Sequence, residues 1–215
     1  MGLFCGIIKA IGDAMKKTIG FASTNKGKIS DLNALIGHLY EIKTPFDLDF
    51  EFDVDENADT FEGNSEKKAR ELFEIVKEPV ISDDSGLMVL KLDNFPGVHS
   101  NRGYQGQANG GVEINELLLK KMEEANLKTE SERAAVFVTV ITYLDENIKK
   151  QFRGELKGTI ATSLRGKNGF GYAPIFIPEG TDKTQAELSD ENRTSASHRG
   201  RAMQKFINGI EEGEK

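Results

Sequence analysis

Cysteine is nearly absent: Cys5 is the single one in 215 residues. An intramolecular disulfide and a multi-cysteine metal site are thereby excluded, a reducing cytoplasm is the compartment that fits, and metal chemistry must use oxygen ligands. No apolar run approaches the roughly 20 residues that a membrane span requires, so the sequence predicts a soluble chain with no membrane partner. Positive charge is in deficit as well. Lys and Arg number 28 against 35 Asp and Glu, a formal charge of −7, so no global positive field attracts nucleic acid. An anionic ligand must then be held by a local cluster of cations.

What is present suits one compact domain or two closely joined lobes, with 38% hydrophobic and 29% charged residues. The stretch Met1 to Lys17 stands apart. Its apolar run Leu3 to Ile8 is short, follows no basic segment and precedes no clear small-residue cleavage site, which argues against a secretory signal. Gly6 stands where a myristoylation start would carry Ser or Thr. Residues 1–17 are therefore expected to be an extension outside the fold, 18–210 a single domain and 211–215 an acidic tail.

Thr18 to Ala22 reads as a strand that ends in the polar loop Ser23 to Lys28, after which Ile29, Leu32, Leu35, Ile36 and Leu39 recur at helical spacing. A second amphipathic helix starts at Phe61 and is stopped by Pro79. Val80-Ile81-Ser82 predicts a brief strand running into an acidic turn, Asp83-Asp84-Ser85-Gly86, with extended structure resuming at Leu87. Asn94 to Gly97 is expected to turn. Gly103 to Gly111, with four glycines, is expected to form a mobile loop, followed by a helix over about 112–127. Ala134 to Tyr143 predicts a long buried strand paired with Ile148 to Gly154. Thr159 to Ser163 and Ile175 to Ile177 add strands, and a last helix carries Ala202, Met203, Phe206, Ile207 and Ile210. Strands and helices interleave irregularly, so the expected class is α/β or α+β with a mixed sheet.

The first loop joins a strand to a helix start, where free N–H groups and the positive helix end suit phosphate, and Lys26 and Lys28 add charge. It equally fits an ordinary exposed turn, since it is not a Walker A motif. Asp83-Asp84-Ser85-Gly86 lies between apolar segments, where a carboxylate pair wants a cation. One or two carboxylates completed by water and phosphate oxygens is a common magnesium arrangement. A glycine-closed acidic turn is the plainer alternative.

Ser23 to Lys28, Glu56 with Thr60-Phe61 and Asn64, Asp83 to Gly86, Phe95-Pro96-Gly97, Gly169 to Tyr172 and Ser197-His198-Arg199 follow one another in that order. Together they resemble the inosine triphosphate pyrophosphatase family, which acts on non-standard purine triphosphates such as ITP, dITP and XTP. The resemblance spans about Thr18 to Ile210. It implies an elongated two-lobed α/β fold around a central mixed sheet with flanking helices, an active-site cleft between the lobes, and a cytoplasmic homodimer. It places phosphate and sugar contacts on Ser23, Asn25, Lys28 and Lys68, and Mg2+ on Glu56 and Asp84. Asp84 is also the implied general base, and Ser85 a substrate contact. Base recognition falls on Phe170, Gly171, Tyr172, His198 and Arg199. Arginine N–H donors suit a carbonyl at the purine 6-position, whereas adenine presents an amino group there. His198 is equally readable as a packing histidine beside the last helix, with Ser197 its N-cap.

Two positions depart from the family pattern. Ala173 stands where an aspartate is usual, and Arg193 where a lysine is usual; both belong to the implied substrate-binding set. The second change keeps the charge. The first removes a carboxylate, which leaves open an alternative, a nucleotide-binding homologue with weakened or lost catalysis. A pyrimidine-directed relative of similar fold is disfavoured because the chain lacks a Ser-x-Ser-Pro-Arg start.

Overall fold

The computed structural model describes residues 16–100, 112–189 and 194–211. The segment 1–15, the glycine-rich loop expected at Gly103 to Gly111, the substrate-binding candidate Arg193 and the tail 212–215 lie outside these residues.

Strand β1 (Lys17–Phe21) leads to helix α1 (Lys26–Ile36), whose N-cap is Asn25. The Asn25 side chain accepts a bond from the Lys28 N–H, which satisfies one of the donors that a helix start leaves open. A short edge strand, β2 (Tyr40–Lys43), follows. Helix α2 (Phe61–Val76) starts at Thr60, whose hydroxyl accepts from the Gly63 N–H at 3.0 Å, and it ends at Lys77 in the left-handed region. Then come β3 (Val80–Val89), the two-residue β4 (Phe95–Pro96), α3 (Val112–Glu124), the hairpin β5 (Ala134–Leu144) and β6 (Lys149–Ile160), β7 (Phe176–Pro178) and α4 (His198–Glu211).

The strands form one mixed sheet in the order β2-β1-β3-β5-β6-β7, with β4 beside β3. β1 runs parallel to β2 and β3, and the remaining pairs are antiparallel. The α/β class with a mixed central sheet and flanking helices is as expected. Local boundaries differ in instructive ways. Asp83 to Gly86 is no turn but the middle of β3, because every residue from Val80 to Val89 pairs with β5. The strand expected at Thr159 is the end of β6, whose pairing with β5 continues through Thr159. Phe95–Pro96, expected within a turn, pairs with the end of β3.

Side chains of a strand alternate between faces, and β3 shows what this does. Ile81 joins Ile19, Phe21 and Ile141 beneath Leu32 and Ile36 of α1 and Met203 and Phe206 of α4. Its neighbour Val80 packs on the opposite face with Ala69 and Leu72 of α2. Further along, Leu87 and Val89 lie under Ile114, Leu118 and Met122 of α3. On the α2 side a buried hydroxyl network fixes the helix: Thr142 Oγ1 donates to Ser65 Oγ, which lies 2.8 Å from Ser82 Oγ.

The seat of α4 depends on a missing side chain. A Cβ on Gly154 of β6 would lie 2.1 Å from the His198 carbonyl oxygen and 2.4 Å from the Ala202 nitrogen. Gly154→Val is therefore expected to push α4 off the sheet and to cost about 1–3 kcal/mol, as overpacking usually does. In a chain of this size that lowers Tm by several degrees. An unchanged melting curve would show that α4 is not seated by this contact.

Candidate active site

β1 touches β3 only at Gly20–Val80 and Phe21–Ile81 before the chain leaves the sheet for the Ser23 to Asn25 loop. β4 meets β3 only at Met88 and Val89. Between them one edge of β3 has no neighbouring strand among the described residues. A cavity of about 350 Å³ opens there, the size of a small-molecule site. The exposed backbone edge is used at once, for the Asp83 carbonyl accepts from Lys28 Nζ at 3.2 Å and from Lys68 Nζ at 2.8 Å.

Because Asp83 and Asp84 are adjacent on a strand, their carboxylates face opposite ways, and each meets its own cations. Asp83 lies under α1 and α4, where Lys28 Nζ is 2.5 Å from Oδ1 and Arg199 Nε donates to Oδ2 at 2.7 Å. Arg199 also pairs through Nη1 with Asp31 at 2.7 Å, and Nη2 donates to Ser85 Oγ at 3.3 Å. Against the cost of burial, Arg199 and then Lys28 hold the Asp83 carboxyl far below the usual range. Burial lowers the Lys28 ammonium pKa, with Asp83 opposing.

On the α2 side Lys68 Nζ bridges two carboxylates, Asp84 Oδ1 at 2.8 Å and Glu56 Oε1 at 2.6 Å. The second Asp84 oxygen, Oδ2, is buried with no hydrogen-bond partner among the described residues. Burial raises the Asp84 pKa, and Lys68 opposes that rise. Desolvation of Lys68 is outweighed by Asp84 and Glu56, which raise its pKa. The result is a carboxylate of enhanced basicity with one oxygen uncommitted, beside a fixed ammonium.

The opposite wall is aromatic. Phe170 is 41% exposed and lies over Gly27, where a Cβ would come 2.6 Å from its ring. Tyr172 is buried, and its hydroxyl donates to the Ser100 carbonyl at 2.8 Å. Of the two aromatics in the predicted loop, Phe170 is thus the exposed one, and the Arg199 guanidinium lies over its ring at 5.7 Å from the centroid. Gly171 has φ of 62°, a conformation that favours glycine, and its carbonyl accepts from Asn115 Nδ2 at 3.0 Å. His198 begins α4 and stacks on Phe137, with centroids 4.6 Å apart. Burial, then Arg199, lowers its pKa well below the ordinary value, so the ring is neutral near pH 7. Its Nδ1 has no partner among the described residues.

The cavity lining thus gathers Ser23, Asn25, Lys28, Glu56, Lys68, Asp84 and Ser85 with Phe170 to Ala173, His198 and Arg199. These are all the predicted site residues except Arg193. The Arg199 guanidinium is held by Asp31, Asp83 and Ser85, which leaves one N–H on each terminal nitrogen for a ligand. Sequence reading missed Asp31, Phe137 and Gln185, all of which line the cavity. Asp31 had no signal, since it sits beside Leu32 in a helix and its partner is 168 positions away.

Arg199→Met removes the main partner of a fully buried carboxylate, and loss of one member of such a pair costs about 3–5 kcal/mol. The folded pKa of Asp83 lies below its unfolded value of roughly 3.9, so pairing stabilises the parent fully above that pH and fades below it. In the variant the Asp83 pKa rises, and protonation relieves the penalty. The deficit in urea midpoint relative to the parent is therefore expected to be largest near pH 8 and to narrow toward pH 5. A pH-independent deficit would assign the loss to packing alone.

Residues 19–209 match the model of the Ham1 family. The chain is 36% identical over 199 residues to the dITP/XTP pyrophosphatase of Aquifex aeolicus, covering 90% of this chain and 96% of that one. It is 38% identical over 190 residues to the dITP/XTP pyrophosphatase of Porphyromonas gingivalis, covering 88% and 94%. Among solved structures, the Ham1 protein of Staphylococcus aureus superposes with a TM-score of 0.78 at 36% identity, covering 93% of this chain and all of that one. With the match running from β1 to the last helix, the chain belongs to the Ham1 family.

Proposed function

We propose that this chain hydrolyses dITP, XTP and ITP to the nucleoside monophosphate and pyrophosphate. The observation that carries the reading is Asp84, a buried carboxylate of raised pKa with one oxygen unpartnered among the described residues, in one cavity with Lys28, Lys68 and the exposed ring of Phe170. Relatives at 36–38% identity that are named dITP/XTP pyrophosphatases support the same chemistry.

In this reading Phe170 stacks on the purine, and the remaining N–H groups of Arg199 with the neutral His198 favour a 6-carbonyl over an amino group. The Ser23 to Asn25 loop, the start of α1, Lys28 and Lys68 take the phosphates, with Ser85 at the edge. Asp84 accepts the proton of a water whose oxygen bonds the α-phosphorus as the bond to the bridging oxygen breaks, and pyrophosphate departs.

Within the ion-paired cluster three cations, Lys28, Lys68 and Arg199, face four carboxylates, Asp31, Glu56, Asp83 and Asp84. A triphosphate would therefore bring charge of the wrong sign unless a divalent cation accompanied it. Glu56 and the open Asp84 oxygen fit Mg2+, which takes one or two carboxylates and completes its shell with water and phosphate. Bound there, Mg2+ would neutralise charge on the leaving pyrophosphate. Glu56 and Asp84 would then exchange part of their hold on Lys68, freeing its ammonium for phosphate.

The two-lobed division and the homodimer are part of this proposal. Separate apolar clusters under α3 and under α1 with α4 support the lobes, and sedimentation distinguishes one copy from two.

Pyrophosphate release should be fast with dITP and XTP, require Mg2+ and be much slower with ATP. Release of a diphosphate and inorganic phosphate would overturn the assigned bond. Asp84→Asn is expected to lower kcat at least about a hundredfold, whereas Lys28→Ala should act mainly on KM if it binds ground and transition states equally. Nucleotide binding without turnover in the parent would favour the alternative in which Ala173 has left a binding protein.

A further inference from the structure

Gln185 is a buried polar residue that the reading above does not use. It is 5% exposed and lines the cavity. Its carboxamide makes no hydrogen bond among the described residues. Its polar atoms are not among the fully buried partnerless ones of the described residues, as Asp84 Oδ2 and His198 Nδ1 of the same cavity lining are. The small surface that it keeps therefore includes its polar end. Desolvating a carboxamide without a partner is costly, and a structural role would have supplied one.

The backbone around Gln185 is fixed on both sides. Thr184 N–H donates to Glu187 Oε2 at 2.8 Å, and Thr184 Oγ1 donates to the Arg165 carbonyl at 2.9 Å. Ala186 N–H donates to the Ala173 carbonyl at 3.1 Å, while the Ala186 carbonyl accepts from Lys167 and Asn168 N–H at 3.1 Å. Gln185 is thus tied to the strip that carries Phe170, Gly171 and Ala173. In that strip the other polar groups are largely committed. Tyr172 donates to Ser100, Asn115 donates to Gly171, and Ala173 offers a methyl group.

We propose that Gln185 is a specificity-determining residue that hydrogen-bonds the N1/6-position edge of the purine ring stacked on Phe170. The inference rests on the purine triphosphatase reading. A carboxamide has a donor and an acceptor side by side, and the hypoxanthine edge offers the complement, an acceptor at the 6-oxygen and a donor at N1–H. The fixed turn around Gln185 pre-positions the group, so the contact costs little reorganisation.

The test crosses two side chains with two substrates. ITP and purine riboside triphosphate, which has no 6-substituent and no N1–H, are compared in the parent, Gln185→Leu and Gln185→Met. In the parent, ITP should exceed purine riboside triphosphate in kcat/KM by tenfold or more, because a site built to bond a polar group rejects an analogue that lacks it. Either apolar variant should lower kcat/KM for ITP at least tenfold and leave the riboside analogue within about twofold. Because no bond within the protein is broken, neither variant should lower Tm, and Met keeps the shape of Gln should Leu fail to fold. Equal losses on both substrates, or no loss on ITP, would overturn the proposal while leaving the triphosphatase reading intact. A parent that neither hydrolyses nor binds any purine nucleotide would overturn both.

Discussion

The carboxylate of Asp83 lies wholly inside the protein, on the central strand, and its charge has to be met there. Arg199 and Lys28 meet it from opposite ends of the sequence, and Asp31 shares the guanidinium. Two cations and two carboxylates balance, so the cluster holds α1, β3 and α4 together without a residual buried charge. A hydrophobic substitute could be as stable, but it would not orient Lys28 and Arg199 at a cavity wall. The side of β3 that faces α2 repeats the device with Lys68 between Asp84 and Glu56.

This arrangement follows from a two-residue period. Had Asp83 and Asp84 occupied a turn, both could have faced the same solvent and shared cations. On a strand they must diverge, and the sheet becomes a partition between the ion cluster around Asp83 and the one around Asp84. With no strand beside Ser82 to Leu87 on that edge among the described residues, Lys28 and Lys68 converge on one backbone carbonyl from the two sides. Lysines from two helices on opposite faces of the sheet thereby act in one cavity.

Much of this was readable in the residues themselves. The apolar stripe of α2, its stop before Pro79 and the Val-rich β5 give period and boundary locally. The order of the short motifs named the residues that line the cavity. Four things could not be read. Asp83 to Gly86 has turn composition, and only pairing with β5 makes it a strand. Tyr40 to Lys43 is a short edge strand with little periodic signal. The partnership of Asp31 with Arg199 joins distant positions, and a helical aspartate next to a leucine looks like any solvated one. Tyr172 and Phe170 were likewise equal as aromatics until the hydrogen bond of Tyr172 to Ser100 committed one of them to the core.

Where the protein completes its hydrogen bonds, and where it does not, separates scaffold from site. Ser65, Ser82 and Thr142 are buried under α2 and bond one another. Asp84 Oδ2 and His198 Nδ1, buried and without a partner among the described residues, belong instead to cavity-lining residues, although Thr139 Oγ1 has none there either and nothing in the structure explains it. Leaving a buried polar atom unmet costs stability, so such atoms persist where a ligand completes them. By that criterion the cavity is a surface already desolvated in part, and a polar guest suits it better than an apolar one. An apolar ligand of the same volume would fill the space and leave every one of those costs in place, which is why the wall selects by chemistry before it selects by shape.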